Sequence, residues 1–235
     1  MTATVLLIHG AFADGSAWNK VIARLQRDGI PARAVANPLR GLTTDGEYVA
    51  GVVAQTDGDV VLVGHSYGGA VATYAGSTAP TVKALVLVGA FGLDKGETAQ
   101  TATSGFPDPE LASALQPWTY PGSDLPELTI QLDKYHQVFA ADVSAEEAAV
   151  RAVTQRPAAA IALGEPLTVE PAWRRVPTWW AVGTEDHAIN PDYQRETAKK
   201  IGATLVEIPG GSHSIAISRP DEVTAAIADA VRSVS

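Results

Sequence analysis

The feature that most restricts this chain is a strand that runs straight into a glycine-rich turn and then into a helix. Val60-Val61-Leu62-Val63 is followed at once by Gly64-His65-Ser66-Tyr67-Gly68-Gly69, and a helix of small residues opens at Ala70 and runs to Gly76. In such an elbow the serine occupies a strained turn that lifts its hydroxyl above a sheet. The glycines two before and two after it let the backbones pass closely. The five-residue string alone is only moderately specific; the strand before it and the helix after it give it weight. Glycine-rich turns into helices also cradle phosphates. Here neither G-x-G-x-x-G nor G-x-x-x-x-G-K-[ST] is present, and no lysine stands where phosphates would be held.

The rest of the chain repeats the same alternation. Runs rich in Val, Ile and Leu at 4–8, 32–36, 60–63, 84–88, 178–182 and 203–208 read as buried strands. Helical stretches lie between most of them: 18–28, 45–55, 67–79, 191–201 and 220–234. Strand and helix in turn imply an α/β fold with a mostly parallel sheet flanked by helices. With 46% hydrophobic and 18% charged residues, the composition suits strands buried on both faces. A length of 235 residues is expected to make one domain, with a core at 1–93 and 176–235.

The segment from about Asp94 to Arg175 departs from that pattern. It has no convincing strand, and it has helix-like pieces at 109–115, 125–140, 145–154 and 157–163. A stretch this long is expected to be a helical cap laid over the strand ends, irregular around Pro117, Pro121 and Pro126.

Charge and composition narrow the partners. A net charge of −9 with no basic run argues against nucleic acid and anionic membrane surfaces. The absence of cysteine excludes disulfides, thiolate metal sites and a cysteine nucleophile. The first residues lack a basic n-region, and no apolar stretch approaches the roughly 18 residues of a spanning helix, so a cytoplasmic location is expected. No metal and no organic cofactor is called for, and the sequence leaves room for a homodimer.

A serine nucleophile needs a base, and the base needs a carboxylate to fix its tautomer. Of the five histidines, His9 ends the first strand and His65 precedes the nucleophile; both read as structural. His136 reads as a solvent-facing cap residue. His187 and His213 remain, and His213 is preferred because it lies in Pro209-Gly210-Gly211-Ser212-His213, directly after the last strand. It also completes the chain order Ser, Asp, His. The acid should end the preceding strand, where Glu185 and Asp186 are adjacent; Asp186 is preferred, with Glu185 and Asp192 left open. Backbone donors for an oxyanion are expected at Tyr67 and Ala11, with Phe12 as the rival to Ala11.

With these sites placed, the chain resembles the small cap-bearing esterase branch of the α/β-hydrolase superfamily that includes plant methylesterases and hydroxynitrile lyases. The resemblance runs nearly end to end. Its most specific pieces are Leu7-Ile8-His9-Gly10-Ala11-Phe12, Val63-Gly64-His65-Ser66-Tyr67-Gly68-Gly69-Ala70, Val182-Gly183-Thr184-Glu185-Asp186 and Gly211-Ser212-His213. It implies a triad of Ser66, Asp186 and His213. Lyases of that branch are similar but carry threonine at the position of Gly10 and lysine directly after the base, where this chain has Ser214. The departure argues for ester hydrolysis through an acyl-serine, with a small apolar carboxylic ester as substrate. Lyase-like activity, perhydrolase activity and a slow-turnover small-ligand receptor are the alternatives. The substrate pocket is expected between Phe12 and Phe91 below and Trp118, Tyr120 and Phe139 above.

Overall fold

The computed structural model describes residues 2–119 and 125–234. The first half alternates as expected: β1 (Thr4–Ile8), α1 (Asn19–Arg27), β2 (Ala32–Val35), α2 (Leu42–Ala54), β3 (Val60–His65), α3 (Tyr67–Ala75) and β4 (Val82–Val88). A capping segment follows, with α4 (Ala99–Ala102), α5 (Leu111–Ala114), β5 (Leu115–Trp118), β6 (Glu127–Ile130), α6 (Tyr135–Phe139), α7 (Ala145–Val153), β7 (Ala158–Ala159) and α8 (Ala160–Gly164). The chain then returns through β8 (Thr178–Gly183), α9 (Pro191–Ile201), β9 (Thr204–Ile208), α10 (Ile215–Ser218) and α11 (Pro220–Ser233).

Six strands form one sheet in the order β2-β1-β3-β4-β8-β9, and every pair in it is parallel. Successive side chains of a strand point to opposite faces, so a hydrophobic run needs cover on both sides. Val5 and Leu7 of β1 join Trp18, Val21, Leu25, Val223 and Ile227 in one buried layer. Leu6 and Ile8 join Val49, Val71 and Leu62 in the other. The second cluster continues into the cap through Ile130, Tyr135, Phe139, Ala148 and Ala158.

The cap contains what the sequence reading missed. β5, β6 and β7 make a small antiparallel sheet within a segment expected to have no strand, and residues 125–140 and 157–163 are therefore only partly helical. Pro117 is tolerated because β5 is an edge strand of that sheet. Gln155 also imitates a strand partner, accepting from Ile130 N at 2.8 Å and donating to Ile130 O at 2.9 Å. Helix α3 stops at Ala75, short of the expected 79, and β4 starts at Val82. Among the described residues no helix is long and apolar enough to cross a membrane.

Candidate active site

The elbow forms at the carboxyl end of β3. Ser66 has φ 55° and ψ −126°, one of three non-glycine residues with positive φ among the described residues. A non-glycine residue there costs about 1–3 kcal/mol, so the surroundings must hold it. Ser66 N donates to Val88 O at 3.1 Å, and Ser66 O accepts from Gly69 N at 2.9 Å and Phe91 N at 3.3 Å. Neighbouring glycines are required by space. A Cβ on Gly64 would fall 2.3 Å from Gly68 O, one on Gly68 2.5 Å from Ile8 O, and one on Gly10 2.7 Å from Ser66 Cβ.

Asp186 and His213 meet beside this elbow, on the loops after β8 and β9. The His213 Nδ1–H donates to Asp186 Oδ2 at 2.9 Å, with both side chains fully buried. Oδ1 accepts from Ala188 N at 2.8 Å and Ile189 N at 2.9 Å. Burial pushes the Asp186 carboxyl up, but the charge and hydrogen bond of His213 and these two N–H groups outweigh it, holding it below the usual carboxylate range. An ionised carboxylate only accepts, so it is Nδ1 that carries the proton in this pair. The His213 Nε2 is buried and has no hydrogen-bond partner among the described residues. Behind the pair Gly89, with φ 50°, brings backbone close; a Cβ there would lie 3.4 Å from Asp186 Oδ2.

The base loop is tied to the cap on both sides of His213. Ser212 Oγ donates to Asp142 Oδ1, Ser214 N donates to Ser212 Oγ at 3.1 Å, and Ser214 Oγ donates to Phe139 O at 2.8 Å. The Phe139 ring stands 4.7 Å from the imidazole of His213.

The other histidines fall elsewhere. The His65 Nε2–H donates to His213 O at 2.9 Å, and its ring is 4.6 Å from that of His213. Burial, followed by repulsion from His213, pushes its pKa down to about 3, so the ring is neutral. His9 Nε2 accepts from Asn37 N at 3.1 Å, Nδ1 lies 2.9 Å from Gly10 O, and burial lowers its pKa. His136 is half-buried instead of solvent-facing, because its Nε2 donates to Val143 O at 2.9 Å. His187 pairs with Glu110 at 3.2 Å. Of the rival acids, Glu185 is exposed, and Asp192 pairs with Arg195 in the first turn of α9.

Tyr67 begins α3, so its N–H has no partner within the helix. Among the described residues no backbone carbonyl accepts from Tyr67, Ala11 or Phe12, and Phe12 itself sits at φ 63°. Among the expected pocket residues, Phe12 and Phe139 pack edge to face at 6.2 Å and line a partly open pocket of about 30 Å³ with Trp18, Tyr135 and His65. That is room for about one water. Phe91 packs on Tyr193, at 6.3 Å. Trp118 is 54% exposed, donates from Nε1 to Thr129 Oγ1 at 2.7 Å and makes no ring contact with Phe12, Phe139 or His213. Tyr120 lies outside the described residues. Among those residues no group of three His, Asp or Glu side chains is placed to hold a metal ion.

Sequence reasoning missed Gln194, which donates from Nε2 to Asp186 Oδ2 at 3.0 Å, and Asn37, which holds His9. The available signal for Gln194 was Asn190-Pro191, a cap and a first-turn proline that put residue 194 one turn into a helix beside the acid loop.

The fold and site have counterparts among known proteins. A pyrethroid hydrolase of Sphingobium wenxiniae is 27% identical over 97% of this chain and 88% of its own length. The structure of polyneuridine aldehyde esterase superposes with a TM-score of 0.83 at 20% identity, covering 97% of this chain and 99% of that one. A methylesterase from Arabidopsis does so with 0.82 at 17%, covering 98% and 99%. The family model described as alpha/beta hydrolase family matches residues 5–226. With the parallel sheet, the elbow and this match together, the chain belongs to the alpha/beta hydrolase family.

Proposed function

We propose that this protein is a serine carboxylesterase that cleaves a small apolar ester through an acyl-serine intermediate. The observation that carries the reading is the buried Asp186–His213 pair beside a serine held at positive φ on a strand-to-helix elbow. In the acylation step Ser66 Oγ attacks the ester carbonyl while His213 Nε2 takes its proton, and Asp186 stabilises the imidazolium. The N–H groups of Tyr67 and Ala11 hold the oxyanion. The intermediate collapses as His213 returns the proton to the departing alcohol. Water, deprotonated by the same nitrogen, then releases the acid and restores the Ser66 hydroxyl.

Two features favour hydrolysis over cyanohydrin cleavage. Ser214 stands directly after the base and is committed to Phe139 O, so no ammonium lies at that position to stabilise a leaving cyanide. The space beside Gly10 is filled by Ser66 and His65, which leaves no room for a threonine side chain. The esterase and hydrolase names of the relatives agree with this chemistry. Replacement of Ser66 by Ala should lower turnover of short p-nitrophenyl esters by about 10⁴-fold or more and abolish labelling by an organophosphonate. Unchanged turnover in Ser66→Ala would overturn the assignment.

A further inference from the structure

Asp186 Oδ2 is shared. It accepts from His213 Nδ1 at 2.9 Å and from Gln194 Nε2 at 3.0 Å, so the base and a neutral amide draw on one oxygen. Gln194 lies in α9, fully buried, and its other contacts fix which way the amide faces. Its Oε1 accepts from Trp180 Nε1 at 3.3 Å, and its Nε2 also donates to Ile189 O at 2.9 Å. A flipped amide would set Oε1 against a carboxylate and a carbonyl, and its NH₂ against the indole N–H. Neither contact is favourable.

We propose that Gln194 is a positioning residue of the active site, sharing Asp186 Oδ2 with His213 and so setting how much of the carboxylate's charge reaches the base. The proposal rests on the triad reading above. A hydrogen bond to one lone pair of Oδ2 draws charge from the other, so the amide moderates the acid while locking its plane. Asp186 is faced by His213 from the base loop, by Gln194 from α9 and by the Gly89 backbone after β4. His213 is faced by neutral His65 and by Phe139 of the cap, and Asp142 reaches its loop through Ser212. Asp186 Oδ1 accepts from Ala188 N and Ile189 N, and beyond these no other ion pair or hydrogen bond reaches the carboxylate among the described residues.

The test is the pH profile of kcat/KM for a p-nitrophenyl ester, with the low-field proton resonance of the His213 Nδ1–H as a second readout. Gln194→Met keeps much of the shape and removes the donor. It should lower kcat/KM about 10-fold, mainly in kcat, and raise the midpoint of the acid limb by about half a pH unit, because the undiluted carboxylate holds the proton on the imidazole longer. The low-field resonance should move with it. Gln194→Glu should recover activity toward low pH, where a neutral carboxylic acid can donate as the amide does. Should Gln194→Met fail to fold, Trp180→Phe frees the amide to rotate and should move the acid limb in the same direction. An acid limb and resonance that stay in place while activity falls would reduce Gln194 to packing and overturn the proposal. Phosphonate labelling separates the two readings. Label on a residue other than Ser66 in the unaltered enzyme would sink the triad; label on Ser66 with an unmoved limb would sink only the role of Gln194.

Discussion

Replacing His65 by Gln should flatten the dependence of stability on pH. The His65 ring is buried against Trp18, Phe139 and His213, with its Nε2–H on His213 O, and its pKa is pushed from about 6.5 in the unfolded chain to about 3. Below the unfolded value the unfolded chain binds a proton that the folded one does not, so stability falls as pH falls. Well below the unfolded value each unit removes about 1.4 kcal/mol, and because the unfolded ring is only half protonated at pH 6.5 the loss from pH 6.5 to 4.5 is about 2.3 kcal/mol from this ring alone. A glutamine amide can still donate to the His213 carbonyl but does not titrate. Urea unfolding at pH 7 and pH 4.5 should show the variant less stable at pH 7, with a pH 7 to 4.5 loss smaller than that of the parent by roughly 2–3 kcal/mol. Parallel losses in the two proteins would refute the argument, because they would mean that the buried ring takes up its proton without unfolding.

Two further outcomes follow from the packing. Gly10→Thr places a Cβ 2.7 Å from Ser66 Cβ and 2.9 Å from His65 O, so it should displace the nucleophile and cut ester turnover at least about 100-fold without conferring mandelonitrile cleavage. Steady-state assays on both substrates check it. Phe139→Ala removes a buried ring beside His213 and should cost about 3 kcal/mol in chemical unfolding and change acyl-chain preference, whereas exposed Trp118→Ala should leave that preference unchanged.

The elbow and sheet were readable because their constraints are local. Two glycines flanking Ser66 and apolar runs at strand length leave few other conformations, and the chain order of acid and base follows from strand order. The cap sheet was not readable, because β5 contains Pro117, tolerated only at a sheet edge, and β6 draws a side chain, Gln155, into its pairing; both depend on residues distant in sequence. The same holds for Gln194, whose meaning appears only when α9 turns it back toward Asp186 and Trp180 fixes its amide. Trp180 reaches Asp186 through one intermediary, the amide of Gln194. His136 misled for a similar reason, since its acceptor, Val143 O, belongs to the following loop.

The serines on either side of His213 have a consequence for exchanging parts between enzymes. Because Ser212 grips Asp142 and Ser214 grips the Phe139 carbonyl, residues 139–142 travel with His213 although they lie within the cap by sequence. A graft that swaps caps to change substrate therefore has its seam inside this segment, not at the ends of the insertion. Chimeras that retain residues 139–142 should keep an armed histidine, and those that replace them start from a loop without its anchors.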